Sequence, residues 1–466
     1  MKRSGQRYIL LFILLIGGLY MLTACNKDSF LDKKPNTQLV VPTTLADFQT
    51  LLDNEGVMQE TPELGELSSD NYYLKSIFWQ TLNAKYQNSY IWAQDIFAGQ
   101  GQIPDWDNPY QQVFYANVVL AGLANVKMDE SNAQQWKAEE GFAFFIRGYA
   151  FYNLSQVFAK VYDGTSASTD LGIPLRISPN INEKTTRASL QATYDQILSD
   201  LRQAANLLPD TVSTTHLNRP SRPAALALLA RVCLSMRSYD VARSYADSCL
   251  QLYDSLIDYN TLSISSNIPI AELNPETLYQ SVLNHTSSVL YGVFNSNCIV
   301  DSSLFASYDT SDLRRYIYYK VSSTTGLPSL KGSYNGHSYC FSGLAVDEVY
   351  LIRAECAARA GDTASALKDL NTLLQKRWKF GNFTPVTMFS RTMVLDTILA
   401  ERRKELAFRG LRWTDLRRLN KEGAQITLTR NLNGQQYTLA PSSSRYILPI
   451  PPDVITLTGI QQNDRN

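Results

Sequence analysis

The densest run of chemically capable residues lies near the C-terminus. Glu401, Arg402, Arg403, Lys404 and Glu405 are followed by Arg409, Arg412, Trp413, Asp415, Arg417 and Arg418. Two carboxylates four residues apart, as at Glu401 and Glu405, share one helix face and could divide acid and base roles. The same spacing also suits a brace. Arg402 and Arg403 lie between the acids, Arg402 and Glu405 stand at i,i+3, and Glu405 and Arg409 at i,i+4. Charge runs on helices usually solvate or brace a face, so we read an ion-pair network tying the last helix to the core. Trp413 can cover an arginine stem or accept a cation–π contact. Arg147, set among Phe, Tyr and Ala, must find a carboxylate or carbonyls and is read as structural too. No catalytic residue is assigned.

Other chemistry fails on spacing. Asp105 and Asp107 flank Trp106, but i,i+2 carboxylates on a loop have no fixed separation, and loop Asp usually makes turns. His216, His285 and His337 have no metal-ligand spacing and no nearby cysteine nucleophile. The five cysteines after Cys25 contain no C-x-x-C pair, so zinc and thioredoxin chemistry lack support. Cys233, Cys249 and Cys356 fall in apolar helical patterns and read as core residues, while Cys298 and Cys340 could pair. There is no phosphate loop, and Gly99-Gln100-Gly101 lacks the Rossmann continuation. No cofactor and no metal are expected. Equal numbers of Lys+Arg and Asp+Glu, 43 each, remove the basic footprint of a nucleic-acid binder.

The elements that position these residues are helical. With 44% hydrophobic residues in 466, a large core is available. Leu190, Tyr194, Ile197, Leu198, Leu201, Ala204, Ala205 and Leu208 repeat at helical spacing, with Ser189 as cap and Pro209 as stop. Asp200 and Arg202 fall on the polar side. Trp136 to Val161 reads as a second long helix, deeply buried. Ala230, Ala242, Ala246 and Leu250 recur with the same spacings as Ala354, Ala366, Leu370 and Leu374. Each set surrounds a turn, at Arg237-Ser238 and at Gly361-Asp362, and resembles the tetratricopeptide helical hairpin. The expected fold is mainly α: tetratricopeptide-like hairpins forming a scaffold, with long irregular loops and a few short strands. The irregular regions are 62–110 and 256–342. Within the second, alternation from Arg314 to Val321 predicts a strand with Arg314, Tyr316, Tyr318 and Lys320 on one face.

The N-terminus sets the compartment. Lys2, Arg3 and Arg7 precede an apolar run from Tyr8 to Leu22, shorter than the roughly 20 residues a bilayer requires. Leu22-Thr23-Ala24-Cys25 then resembles a bacterial lipoprotein signal. Residues 1–24 would be removed and Cys25 lipidated, leaving 25–40 as a tether to a single domain over 41–466. Cleavage removes three positive charges and leaves the chain mildly acidic.

These motifs fall in an order that resembles the SusD/RagB family of outer-membrane nutrient-binding lipoproteins. Phe30-Leu31-Asp32 with Pro35 resembles its opening. Trp106 with Tyr110, Asn117 and Leu120, then Phe144 through Leu154 around Arg147-Gly148-Tyr149, resemble its early helices. Gly172-Ile173-Pro174-Leu175, Arg187 to Pro209, Ala225 to Val232, and Leu351 to Glu355 follow in order. The segment Glu401–Arg418 is the most diagnostic, and Tyr446 to Pro451 with Gln462-Asn463 resembles the C-terminal signature. Arg409 departs from the pattern, standing where the family usually has Glu. The resemblance implies a binder rather than a catalyst, anchored by lipid in the outer membrane and facing the exterior. It also implies a SusC-like TonB-dependent transporter as partner, over which the protein acts like a lid.

Sugars present apolar faces and rings of hydroxyls, so a binder needs flat aromatics beside Asn, Asp, Gln, Arg or Lys. The loops supply both. Asp70, Asn71, Tyr72, Tyr73, Trp79 and Trp92 are expected to meet Arg314, Tyr316, Tyr318 and Tyr334 at one cleft. A RagB-like peptide binder, a surface glycoside hydrolase and a purely architectural repeat protein are the alternatives.

Overall fold

The Ser189 hydroxyl accepts the Ala192 N–H at 3.1 Å, so the helix expected over 190–208 runs from Leu190 to Leu207. The same agreement extends along much of the chain. A computed structural model describes residues 42–290, 296–332, 334–387 and 390–466. The signal segment, Cys25 and the tether lie outside the described residues. Among those described, ten helices have eight residues or more: α1 Leu45–Leu52, α2 Pro104–Leu123, α3 Ala133–Phe158, α4 Leu190–Leu207, α5 Arg222–Ser235, α6 Tyr239–Leu252, α7 Val346–Arg359, α8 Thr363–Gln375, α9 Arg391–Glu405 and α10 Arg412–Lys421.

From α2 to α7 they pack on one another in chain order, then α8 and α9 both rest on α7. Helices α5 and α6 form the first expected hairpin, α7 and α8 the second, and α6 joins them by packing on α7. Ala230, Ala242, Ala246, Ala354 and Ala366 are all fully buried, which lets the helix backbones approach closely. Helix α5 is buried all round, every residue after Arg222 being inside, and its one internal charge, Arg231, pairs with Glu348 at 2.5 Å. The turns differ in chemistry. Gly361 adopts φ +85° without steric cost, whereas Arg237 adopts φ +63° and ties its guanidinium to the Tyr162 carbonyl at 2.8 Å. The fold is thus mainly α, with strands only two to five residues long in two-stranded pairs.

Two local expectations are overturned. Asp200 is not on a solvated face. Arg147 of α3 grips it through Nε at 2.8 Å and Nη2 at 2.6 Å, and also donates to Asn117 at 2.9 Å. An arginine carried inward by an apolar helix requires a carboxylate beside it. The strand expected over 314–321 is instead a helical turn, Arg314–Ile317, followed by a short strand, Tyr319–Val321, paired with Pro328–Leu330. Asp312 initiates the turn by accepting the Arg314 N–H at 3.1 Å.

The charged C-terminal run braces the interior. Helix α9 stops at Glu405, and Phe408 and Gly410 then take φ values of +61° and +72°. Arg409 therefore leaves the helix, and the expected i,i+4 pair with Glu405 does not form. Arg409 pairs instead with Asp347, Arg402 with Asp415 at 2.9 Å, and Arg418 with Glu355 at 2.6 and 2.7 Å. Arg314 bonds Glu401 at 2.6 Å and Glu405 at 2.9 Å, and Arg377 bonds Glu405 at 2.7 Å. Burial pushes both glutamates upward, yet neighbouring cations, Arg314 and Lys404 for Glu401 and Arg377 and Arg314 for Glu405, hold each below the usual carboxylate range. None of the five described cysteines forms a disulfide. All are buried, and burial raises their thiol pKa values.

Candidate functional site

The two irregular regions do meet. Strand Glu60–Thr61 runs parallel to Val282–Leu283, and strand Tyr72–Leu74 pairs antiparallel with Cys298–Val300. Side chains reinforce the junction. Thr286 donates to Glu63 at 2.7 Å and shares a 2.7 Å bond with Tyr86, while Asn108 donates to Asn284 at 3.2 Å. Region 62–110 is less irregular than its composition predicts, since Leu64–Leu67, Ser76–Thr81 and Ala84–Tyr90 are short helices.

Most of the side chains expected to line a cleft are consumed in holding the interior, at this junction or in the charge network beside Glu405. Arg314 is 0% exposed, surrounded by Asp312, Glu401 and Glu405. Trp92 is 1% exposed, with its indole donating to the Ser68 carbonyl at 2.9 Å and the Arg430 guanidinium 5.1 Å from its ring. Asn71 donates to Glu66 at 2.7 Å, and Tyr72 to the Leu67 carbonyl at 2.7 Å, both fully inside. Tyr334 is buried, bonded to Glu276 and capped by Arg409 at 4.3 Å. The Tyr318 hydroxyl meets that of Tyr259 at 2.8 Å. Asp70 is clasped by Arg412 at 2.6 and 2.8 Å and by Arg403 at 3.2 Å. Burial opposes its ionisation, but the two arginines lower its pKa to about 2. The physical reason is common to all: a loop-rich region needs its own core, and large aromatics and paired charges supply it.

Asp70 and Tyr318 stay partly exposed, and three more of the expected residues reach the surface. Tyr73 alternates outward between buried Tyr72 and Leu74. Trp79 is half-buried and donates to the Gln87 carbonyl at 3.1 Å. Tyr316, half-buried with Lys379 5.0 Å over its ring, lies next to the interior charge network rather than at the strand junction.

What the junction offers is a cleft of about 280 Å³ beside the Glu60–Thr61/Val282–Leu283 pair. One wall is flat: His285 stacks on Tyr339 with ring centroids 4.3 Å apart and planes at 28°. Glu60 stands 3.6 Å from His285, and Glu272 3.2 Å from His337. Gln280, Gln59, Asn218, Thr215 and Glu55 complete the polar lining. The Gln280 Oε1 is buried and accepts no hydrogen bond among the described residues, and Asn284 Nδ2, just behind the cleft, donates none. Buried polar atoms normally have partners, so these are groups suited to a ligand hydroxyl or an ordered water. Sequence reasoning missed this set because its members come from four separate segments with no common spacing.

Residues 29–234 match a family model described as starch-binding associating with outer membrane, and residues 312–464 match the SusD family model. A curated relative, SusD-like protein P2 of Formosa agariphila, is 23% identical over 420 residues, covering 77% of this chain and 79% of its own. A SusD superfamily protein from Bacteroides fragilis superimposes with a TM-score of 0.72 at 18% identity, covering 90% of this chain and 99% of that one. A laminarin-binding SusD-like protein superimposes with a TM-score of 0.62 at 21% identity, covering 90% and 98%. At these identities the structural likeness establishes the shared fold.

Proposed function

Because this chain belongs to the SusD family of carbohydrate-binding, outer-membrane-associated proteins, we propose that it captures oligosaccharides at the cell surface. We further propose that it passes them to a SusC-like TonB-dependent transporter, while acylated Cys25 holds it to the membrane. The observation that carries the reading is the junction cleft. It joins a flat His285–Tyr339 platform for a sugar face to a buried acceptor, Gln280 Oε1, that has no donor among the described residues. Trp79 donates to the Gln87 carbonyl, and Tyr86, beside Gln87, bonds Thr286, the residue after His285. The buried carboxylates are ion-paired or hydrogen-bonded in structural roles, which supports binding rather than turnover.

Titration of the purified protein against neutral glycan oligomers, acidic glycans and peptides tests the site. Tyr339→Ala and Gln280→Ala should each weaken the preferred glycan about tenfold, the equivalent of about 1.4 kcal/mol, with unchanged melting. Undiminished glycan affinity in both would place binding elsewhere, and a preference for peptides would favour the RagB-like alternative.

A further inference from the structure

A second cavity, larger than the junction cleft, lies against the C-terminal signature. It has a volume of about 710 Å³, within the range of small-ligand sites. Its walls come from the segment after α3, from α10, and from the loop Pro441–Ser444. Three cations line it. Lys160 is neutralised by Asp170 at 2.6 Å, and Lys421 by Asp163 at 2.6 Å. Arg417 is different. It is 5% exposed, and no carboxylate among the described residues lies within ion-pair distance. Its two terminal nitrogens donate to the carbonyls of Gln156 and Ala159, at the end of α3, and its Nε–H donates to none of the described residues. The third carboxylate of the lining, Asp464, accepts the Asn466 main-chain N–H at 3.1 Å instead of Arg417.

Carbonyl oxygens at a helix C-terminus offset part of a positive charge, but they leave the guanidinium formally uncompensated in a desolvated place. Burial accordingly lowers the Arg417 pKa to about 10, which still leaves it protonated at neutral pH. Within the segment Glu401–Arg418 the other buried arginines each have a carboxylate, Arg402 with Asp415, Arg409 with Asp347 and Arg418 with Glu355; buried Arg430 and Arg465 bond only carbonyls, as Arg417 does, but neither lines this cavity. An arginine that lacks one and lines a cavity of ligand size is suited to an anion supplied from outside. The serine-rich rim adds hydroxyls for the rest of such a ligand.

We propose that this cavity is a second ligand site, which takes a saccharide bearing an acidic group, a uronate carboxylate or a sulfate ester, against Arg417. It is separate from the junction cleft and shares no residue with it.

Calorimetric titration of the purified protein with galacturonate, with galactose 6-sulfate and with neutral galactose tests the assignment. At least one acidic sugar should bind saturably, and galactose should not. The comparison of the two acids identifies the group preferred. Arg417→Gln should weaken that binding about tenfold or more, Arg417→Lys should restore part of it, and Tyr339→Ala should leave it unchanged. If Arg417→Gln fails to fold, wild-type crystals soaked in galacturonate or in galactose 6-sulfate should show the acidic group against Arg417. No saturable binding of either acid, equal binding of galactose, indifference to Arg417→Gln, or loss in Tyr339→Ala would each overturn the proposal. Only the last would point back to the junction cleft.

Discussion

Arg314 separates a ligand-binding reading from a structural one, because the two predict different outcomes for Arg314→Leu. The guanidinium donates to Asp312, Glu401 and Glu405, and all four side chains lie in the interior. Removing one member of a buried ion pair costs about 3–5 kcal/mol, since the abandoned charge stays desolvated. An unfolding entropy of about 2.1 cal/mol/K per residue gives the body Thr44–Asn466 roughly 0.9 kcal/mol/K. The expected fall in melting temperature is then about 3–6 °C. It should also depend on pH. In the wild type Glu401 and Glu405 are held below the ordinary carboxylate range, so their contribution is present above that range and lost on acidification. In Arg314→Leu, burial is opposed by fewer cations, both pKa values rise, and protonation relieves the penalty. The deficit should therefore be smaller at pH 5 than at pH 8. Differential scanning calorimetry at both values, beside glycan titration, gives the answer. A shift under about 1 °C with glycan affinity abolished would refute the structural account and return Arg314 to the ligand site.

Two further outcomes follow from the interior. Burial, then the charge of Asp105, raises the Glu63 pKa to about 8, so the stability tied to its protonated form is lost as pH rises toward that value. Glu63→Gln should melt relatively higher at pH 8.5 than at pH 6 when compared with wild type, and parallel melting profiles would contradict this. In the α7–α8 seam, Ala354→Leu overfills a fully buried position and should cost about 1–3 kcal/mol in urea unfolding, whereas exposed Ala364→Leu should change little.

Helix positions were legible where local rules act alone. Ser189 and Pro209 bound α4 as their chemistry requires, and the alanine spacing marks both hairpins because close approach of backbones admits little else. Roles set by distant partners were not legible. Arg314 sits in an alternating run; Asp312 starts the turn there, and Glu401 and Glu405, some ninety residues later, hold the side chain inside. Trp92 and Tyr334 have the composition of a sugar platform, but arginines from the far end of the chain claim their faces. The proposed platform, His285 on Tyr339, depends on a strand pairing that no local pattern encodes. One local signal was there to be read. Asn433-Gly434, both with positive φ, closes a hairpin between Leu428–Leu432 and Gln435–Leu439, as alternation around Asn-Gly requires.

The ion pairs of the C-terminal signature give folding a direction in time. Asp70 and Asp347 both leave the ribosome before the arginines that neutralise them, Arg403 and Arg412 for the first and Arg409 for the second, whereas Asp312, Glu348 and Glu355 have nearer or earlier partners in Arg314, Arg231 and Arg359. Until those last residues arrive, dehydrating the waiting acids is unfavourable. The final segment then acts as a keystone, and a polypeptide cut short before it remains unlocked and open to proteolysis.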